Sequence, residues 1–354
     1  MEIIALCRAG FEKEVAAELS ELAAVNGLAG YAKTNDRDGY VEFIFYQPED
    51  AVSFIENTPF RQLIFIRHWF IAQPALTIDD VQDRVTPLAE QLQQLLTSLQ
   101  LTQLDLIEPV NLDTNDGKSL QRLATGVSGH LGRSLGDLVG RKSARYRGQL
   151  LMLAGNCAFV GVYPKANVSP WLAGVPRLRQ PKAAPSRATL KLEEAWHHFI
   201  PKTEWDQRLA ASMTAVDLGA APGGWTWQLV NRSMFVQAVD NGPMAESLME
   251  SGQVTHHMLD GFAFKPDYSV DWLVCDIADK PARVADMIRR WALQGWCREA
   301  VFNLKLPMKQ RYLEVKKCSA MITEALTAVN IAHELRFKQL YHDREEVTGH
   351  LRIL

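Results

Sequence analysis

What the chain lacks narrows the possibilities first. Among its 354 residues the longest apolar run, Leu150 to Tyr163, is broken by Asn156 and falls short of the roughly 20 residues a membrane helix needs. Its five cysteines, Cys7, Cys157, Cys275, Cys297 and Cys318, form an odd set with no C-x-x-C pair. That argues against a disulfide framework and a thiolate metal site and predicts reduced, mostly buried thiols. Low-complexity tracts and convincing long repeats are missing too. With 47% hydrophobic and 22% charged residues, the chain is expected to fold throughout, as two domains at roughly 150 residues each. The opening MEIIALCRAGFEKE has no basic segment ahead of its apolar stretch, so it reads as a strand and turn rather than a signal peptide, and a cytoplasmic location is expected.

Acids are scarce in one place. Residues 118–187 carry 12 Lys and Arg against the single acid Asp137, whereas residues 1–117 carry 7 against 19 and residues 188–354 carry 19 against 21. A basic island inside an acidic protein points to a polyanion partner, nucleic acid before others. Arg141, Lys142, Arg145, Tyr146 and Arg147 interleave charge with an aromatic and are candidates for phosphate contact.

The pattern along the chain predicts a strand at Glu2–Cys7, a helix at Phe11–Val25, strands at Gly39–Tyr46 and Ile64–Ile71, and a long helical period from Ile78 to Leu101. This is the rhythm of a ferredoxin-like α+β module. A weaker repeat follows, with a helix near Ser119–Thr125, a Gly- and Arg-rich stretch through Arg147 and a strong strand at Gln149–Val162. Residues 169–186 hold four prolines and no hydrophobic period and read as a semi-rigid linker. The domains are therefore placed at 1–168 and 187–354. In the second, a helix at Leu190–Phe199 precedes short apolar strands at Thr214–Leu218, Met234–Asp240, Val270–Cys275 and Glu299–Leu306, separated by helical periods. That alternation predicts an α/β, Rossmann-like, doubly wound sheet.

The segment Val216-Asp217-Leu218-Gly219-Ala220-Ala221-Pro222-Gly223-Gly224-Trp225 runs from a strand into a glycine-rich turn and then a helix. Glycines let the backbone approach a ligand there, so a small-molecule site is expected. It is neither G-x-G-x-x-G nor a P-loop, which disfavours a dinucleotide or a triphosphate. Asp240 ends the next strand, where an acid can hold a ribose diol, and Asp260 closes the segment THHMLD after the third short strand.

The motif D-L-G-A-A-P-G-G-W-T resembles the first motif of S-adenosylmethionine-dependent ribose 2′-O methyltransferases of the RrmJ/fibrillarin-like type. That resemblance implies a catalytic set in the order Lys, Asp, Lys, Glu, matched by Lys191, Asp276, Lys305 and Glu346. FIP-x-x-EWD, VDNGPMA, FNLKLPMK and LYHDREEVT extend the likeness over essentially the whole chain to the bacterial 23S ribosomal RNA 2′-O-ribose methyltransferases of the RlmM family. It implies an N-terminal part that includes a THUMP RNA-binding domain, S-adenosylmethionine as cofactor, and a cytidine of 23S ribosomal RNA, naked or in an early assembly intermediate, as substrate. It also implies that Ala221, Pro222, Gly223 and Gly224 lie beneath the methionine part, with Asp240 on the ribose and Asp260 near the adenine amine. The same resemblance implies that Asp276 borders the cofactor and that Ser186 and Ala188 reach it through backbone groups. Ala221 stands where a cysteine is common, and Ala188 where a serine is expected.

The chemistry suits these residues. A ribose 2′-hydroxyl is a poor nucleophile and needs a base and in-line positioning. Lys305 is the expected base, with Asp276 orienting it and Glu346 positioning Lys191. A lysine base must be neutral; burial and Lys191 push its pKa down while the acids push it up, and the net direction stays open. The alternatives are an RNA-binding protein with an inactive methyltransferase fold, an RNA base methyltransferase, and a nicotinamide-dependent oxidoreductase. No metal is expected: His197-His198 and His256-His257 are adjacent pairs with no third ligand at metal spacing.

Overall fold

A computed structural model describes all residues, Met1–Leu354, and divides into two compact units, Met1–Val175 and Pro176–Leu354. The first contains β1 (Glu2–Leu6), α1 (Glu12–Val25), β2 (Gly30–Lys33), β3 (Tyr40–Phe45), α2 (Asp50–Asn57), β4 (His68–Ala72), β5 (Leu76–Thr77), α3 (Val85–Ser98), β6 (Ile107–Val110), α4 (Asn115–Ser119), α5 (Gln121–Ser134), β7 (Tyr146–Ala154) and β8 (Cys157–Pro164). Its sheet has the order β2-β3-β1-β4-β8-β7-β6, with β5 pairing β8. The opening β-α-β-β-α-β run, antiparallel in the order β2-β3-β1-β4, is the ferredoxin-like module.

Several local departures from the sequence pattern have physical causes. Gln149–Val162 is not one strand but the hairpin β7–β8, turned at Gly155-Asn156. The run at Ile64 enters the ladder only at His68, because the buried Glu18 carboxylate accepts the amides of Ile64 (2.5 Å) and Phe65 (3.0 Å). Helix α3 starts at Val85, where the Asp83 carboxylate accepts the Val85 and Thr86 amides. Helix α5 continues past Thr125 through Gly126, Gly129 and Gly132, into the Gly- and Arg-rich stretch. Within residues 169–186, Leu172–Gly174 forms a helical turn against the first unit: Gly174 has φ +68°, and a Cβ there would sit 1.9 Å from the Arg67 carbonyl oxygen.

The second unit contains α6 (Thr189–Phe199), α7 (Trp205–Arg208), β9 (Thr214–Leu218), α8 (Gly224–Val230), β10 (Phe235–Val239), α9 (Glu246–Met249), β11 (Val254–His257), β12 (Val270–Cys275), α10 (Pro281–Leu293), β13 (Cys297–Lys305), α11 (Arg311–Ala328), β14 (His333–Lys338) and β15 (Glu346–Ile353). The sheet order is β11-β10-β9-β12-β13-β15-β14, parallel through β13 and antiparallel at β15. This is the Rossmann-like, doubly wound sheet. The order reverses between β9 and β12, which opens a crevice at their carboxyl ends. One core cluster, built on Trp196, Trp225, Trp272 and Leu229, holds α6 and α8 to the sheet. All five cysteines are free thiols, four of them buried, and no helix is long and apolar enough to cross a membrane.

Candidate active site

The crevice is a cavity of about 350 Å³ at the carboxyl edge of β9, β10, β11 and β12. Its lining includes Gly219 and Ala221 from the turn after β9, Asp240 after β10, Asp260 after β11 and Asp276 after β12. Gly219 has φ +78°, and a Cβ there would lie 2.9 Å from the Ile277 side chain, so the turn is open only to glycine. Asp240 braces the same turn: its two carboxylate oxygens accept the Ala221 amide (3.0 Å) and the Gly242 amide (2.7 Å). Asp260 accepts the Phe262 amide at 2.9 Å.

Asp276 is shared between this cavity and a second cluster. Lys305 Nζ donates to Asp276 Oδ1 at 2.7 Å and to Glu346 Oε2; Lys191 Nζ donates to Glu346 Oε1 and lies 3.6 Å from Asp276 Oδ2. Two ammonium groups and two carboxylates thus alternate in a closed ring. Strand register builds half of it, since Lys305 of β13 stands directly opposite Glu346 of β15. The first turn of α6 supplies Lys191, and one turn further on the fully buried Glu194 accepts the Tyr341 amide (2.6 Å), the His342 amide (3.0 Å) and His342 Nδ1 (2.5 Å). Glu194 therefore ties α6 to the segment that leads into Glu346.

The electrostatics are one-sided at Lys305. Burial works against its ammonium, but Asp276 and Glu346 outweigh burial and hold its pKa above the ordinary lysine value. The direction that sequence left open is upward. Burial, reinforced by Asp276, raises the Asp217 carboxyl to about 7 despite a 2.6 Å bond from the Thr226 hydroxyl, and Asp217 Oδ1 has no hydrogen-bond partner. Burial and the neighbouring Glu346 push Asp343 well above the usual carboxylate range.

Lys191, Asp276, Lys305 and Glu346 come together, as do Ala221, Asp240, Asp260 and Asp276. Pro222, Gly223 and Gly224 do not line the cavity. A Cβ at Gly223, where φ is +115°, would meet Leu248, Met244 and Pro185; one at Gly224 would meet Ser186 Oγ and Ala188. Ser186 and Ala188 accordingly pack against the rear of the turn. Sequence reasoning passed over Asn303, Thr348 and Asp343, which back the ring; two-residue spacing from Lys305 and Glu346, putting Asn303 and Thr348 on the same sheet face, was the available signal. In the first unit, Tyr146 is buried and donates to Glu56 at 2.6 Å, and Arg147 pairs with Asp105 and Glu108, whereas Arg141 and Lys142 are exposed. The aromatic of the interleaved motif is therefore a core residue.

Residues 184–325 match the family model of FtsJ-like methyltransferases, which agrees with the sheet order and the crevice, so the second unit is a methyltransferase domain. Residues 1–70 match the RlmM ferredoxin-like domain. The chain is 57% identical to the ribosomal RNA large subunit methyltransferase M of Saccharophagus degradans, over 99% of each chain, and 56% identical to that of Teredinibacter turnerae, over 100% of each. It belongs to the ribosomal RNA large subunit methyltransferase M family.

Proposed function

We propose that this chain methylates the 2′-hydroxyl of a cytidine in 23S ribosomal RNA, using S-adenosylmethionine, with Lys305 as the group that takes the hydroxyl proton. The observation that carries the reading is the sharing of Asp276: one carboxylate borders the cavity and holds the lysine that must act beside it. The residues present fit the cofactor, because a cavity at the switch point of the sheet, edged by Asp240 and Asp260 and bordered by the small residues Gly219 and Ala221 of the turn, suits an adenosine with an amino-acid tail. S-adenosylmethionine, when bound, supplies a methyl group on a positively charged sulfur open to in-line attack.

The chain's own residues do the rest. Asp276 and Glu346 hold Lys305 at two points and fix where its nitrogen lies relative to an incoming hydroxyl. With both carboxylates ionised Lys305 rests as an ammonium, so it must first shed a proton. A positive charge against Asp276 in the cavity withdraws part of the compensation that keeps Lys305 protonated and moves it toward neutrality. Lys191, bonded to the other Glu346 oxygen, shares that carboxylate's charge and acts in the same direction. The first unit, with Arg141 and Lys142 exposed and the ferredoxin-like module beside them, is the RNA-holding part in this reading, including the THUMP domain implied by resemblance; an assembly intermediate and naked RNA are both open to it.

The raised pKa of Lys305 favours a second reading in which the ammonium never loses its proton and only orients the hydroxyl. One experiment separates the two: transfer of labelled methyl to unmodified 23S RNA by wild type, Lys305→Met and Lys305→Arg, with the product mapped by resistance to alkaline cleavage. An arginine stays charged at any working pH. One alkali-resistant cytidine in wild type and inactivity in both variants support the base; an active Lys305→Arg supports the orienting ammonium. Label on a base, or none, overturns the ribose reading.

A further inference from the structure

Behind the Lys-carboxylate ring lies a second rung of the same two strands. Asn303 of β13 stands directly opposite Thr348 of β15, one same-face step from Lys305 and Glu346, and both side chains are fully buried. Asn303 Nδ2 donates to Asp276 Oδ1 at 2.8 Å, the oxygen that also accepts from Lys305. Thr348 Oγ1 lies 2.7 Å from Asn303 Oδ1 and 3.1 Å from Asp343 Oδ2.

Donor counting gives this row a direction. Asp276 accepts, so Asn303 must turn its NH₂ toward it; flipped, the amide would set two oxygens against each other at that distance. Asn303 Oδ1 then needs a donor, and the single hydroxyl proton of Thr348 supplies it. Having spent that proton, Thr348 can only accept from Asp343, which must be the neutral acid. The Leu340 amide donates to the same Asp343 oxygen at 2.9 Å, and a protonated Oδ2 can accept there while giving its own proton to Thr348. The upward displacement of the Asp343 pKa by burial and by Glu346 agrees with this geometry.

We infer that Asp343, Thr348 and Asn303 form a unidirectional hydrogen-bond chain that sets the orientation of Asp276, and that they are positioning residues for the methyl transfer. Two donors on Oδ1 pin one side of the carboxylate and leave Oδ2 turned toward Lys191 and the open side of the site. Without the Thr348 hydroxyl nothing selects the amide's orientation except Asp276 itself, and the carboxylate is held less firmly on its Asn303 side. The inference rests on the ribose-methylation reading above, in which Asp276 holds the lysine that acts on the reacting hydroxyl.

The test is the full-length enzyme with Thr348→Val, which keeps shape and removes the hydroxyl, and Thr348→Ser, which restores it. Thr348→Val is expected to lower kcat by ~10-fold to ~100-fold, the range for misplacing a reacting group by under an ångström, with the S-adenosylmethionine Kd and the RNA KM within about twofold. Thr348→Ser is expected to recover kcat to within about threefold. An unchanged kcat in Thr348→Val, or an equal loss in Thr348→Ser, overturns the chain. If Thr348→Val does not fold, Asn303→Asp replaces it: its second carboxylate against Asp276 is expected to cost ~100-fold in kcat, and activity near wild type refutes the assignment. Lys305→Met assayed alongside keeps the failures apart, because an active Lys305→Met sinks the underlying reading, whereas an inactive one beside an unaffected Thr348→Val sinks only the chain.

Discussion

Replacing Asp217 by Asn is expected to stabilise the second unit, by an amount that depends on pH. Asp217 lies fully buried near the end of β9, with one oxygen bonded by Thr226 and the other without a donor. Its carboxyl is raised from 3.8 to about 7. Below pH 3.8 both folded and unfolded chains carry the proton, and the site costs nothing. Between 3.8 and about 7 the unfolded chain has lost its proton while the folded chain keeps it, so stability falls as pH rises. Above about 7 the full penalty is present. About three pKa units at about 1.4 kcal/mol each gives a cost of about 4 kcal/mol at pH 8. Asparagine keeps an acceptor for Thr226 and never ionises. The variant should gain about 4 kcal/mol at pH 8 and nothing near pH 3.5, and at pH 8 melt roughly 10 °C higher for a unit of this size. Urea unfolding followed by tryptophan fluorescence reads this directly, since seven of the nine tryptophans, from Trp196 to Trp296, lie in the second unit. Equal stability at pH 8, or the same gain at pH 4 as at pH 8, would refute the reasoning.

Glu194 should behave in the opposite sense. Burial presses its carboxyl upward, but His198, His342 and the Tyr341 amide outweigh burial and hold it at about 2, so its stabilising contribution is complete above pH 4.5 and fades as pH falls toward 2. Glu194→Ala is expected to speed hydrogen exchange at the Tyr341 and His342 amides by at least ~10-fold at neutral pH, and unchanged protection there would contradict the tether. For RNA, the double variant Arg141→Glu with Lys142→Glu is expected to weaken binding and flatten the plot of log Kd against log salt by roughly 1.5, as the loss of two phosphate contacts demands; an unaltered slope would move the RNA face elsewhere.

The second unit was largely legible in the sequence because its strands are short, apolar and isolated by helices: TAVDL, VDWLVC and the run into Lys305 appear at β9, β12 and β13 almost as written. The ring was legible through the family resemblance, which singled out Lys191, Asp276, Lys305 and Glu346, and the structure brings these four together at strand ends and a helix start. What escaped depended on distant partners. Nothing local says that Glu18 will take the amides of Ile64 and Phe65 and hold them out of a strand. Gly126, Gly129 and Gly132 signal a loop to any propensity argument, yet Ala124, Val127 and Leu131 bury a helical face across them, and packing overrides propensity. The pKa of Lys305 could not be signed in advance, because two carboxylates compete with burial and a neighbouring ammonium and only distances decide.

The crevice and the ring differ in how far along the chain their parts are drawn. The crevice is bounded by Gly219 through Ala278, successive turns of one run of the sheet. The Lys191–Glu346 contact closes a loop of 155 residues and requires α6, β13 and β15 all in place. The pocket lining is thus drawn from one stretch of the second unit, whereas the ring also draws on both of that unit's flanks, so a disturbance at either flank reaches the ring without touching most of the pocket.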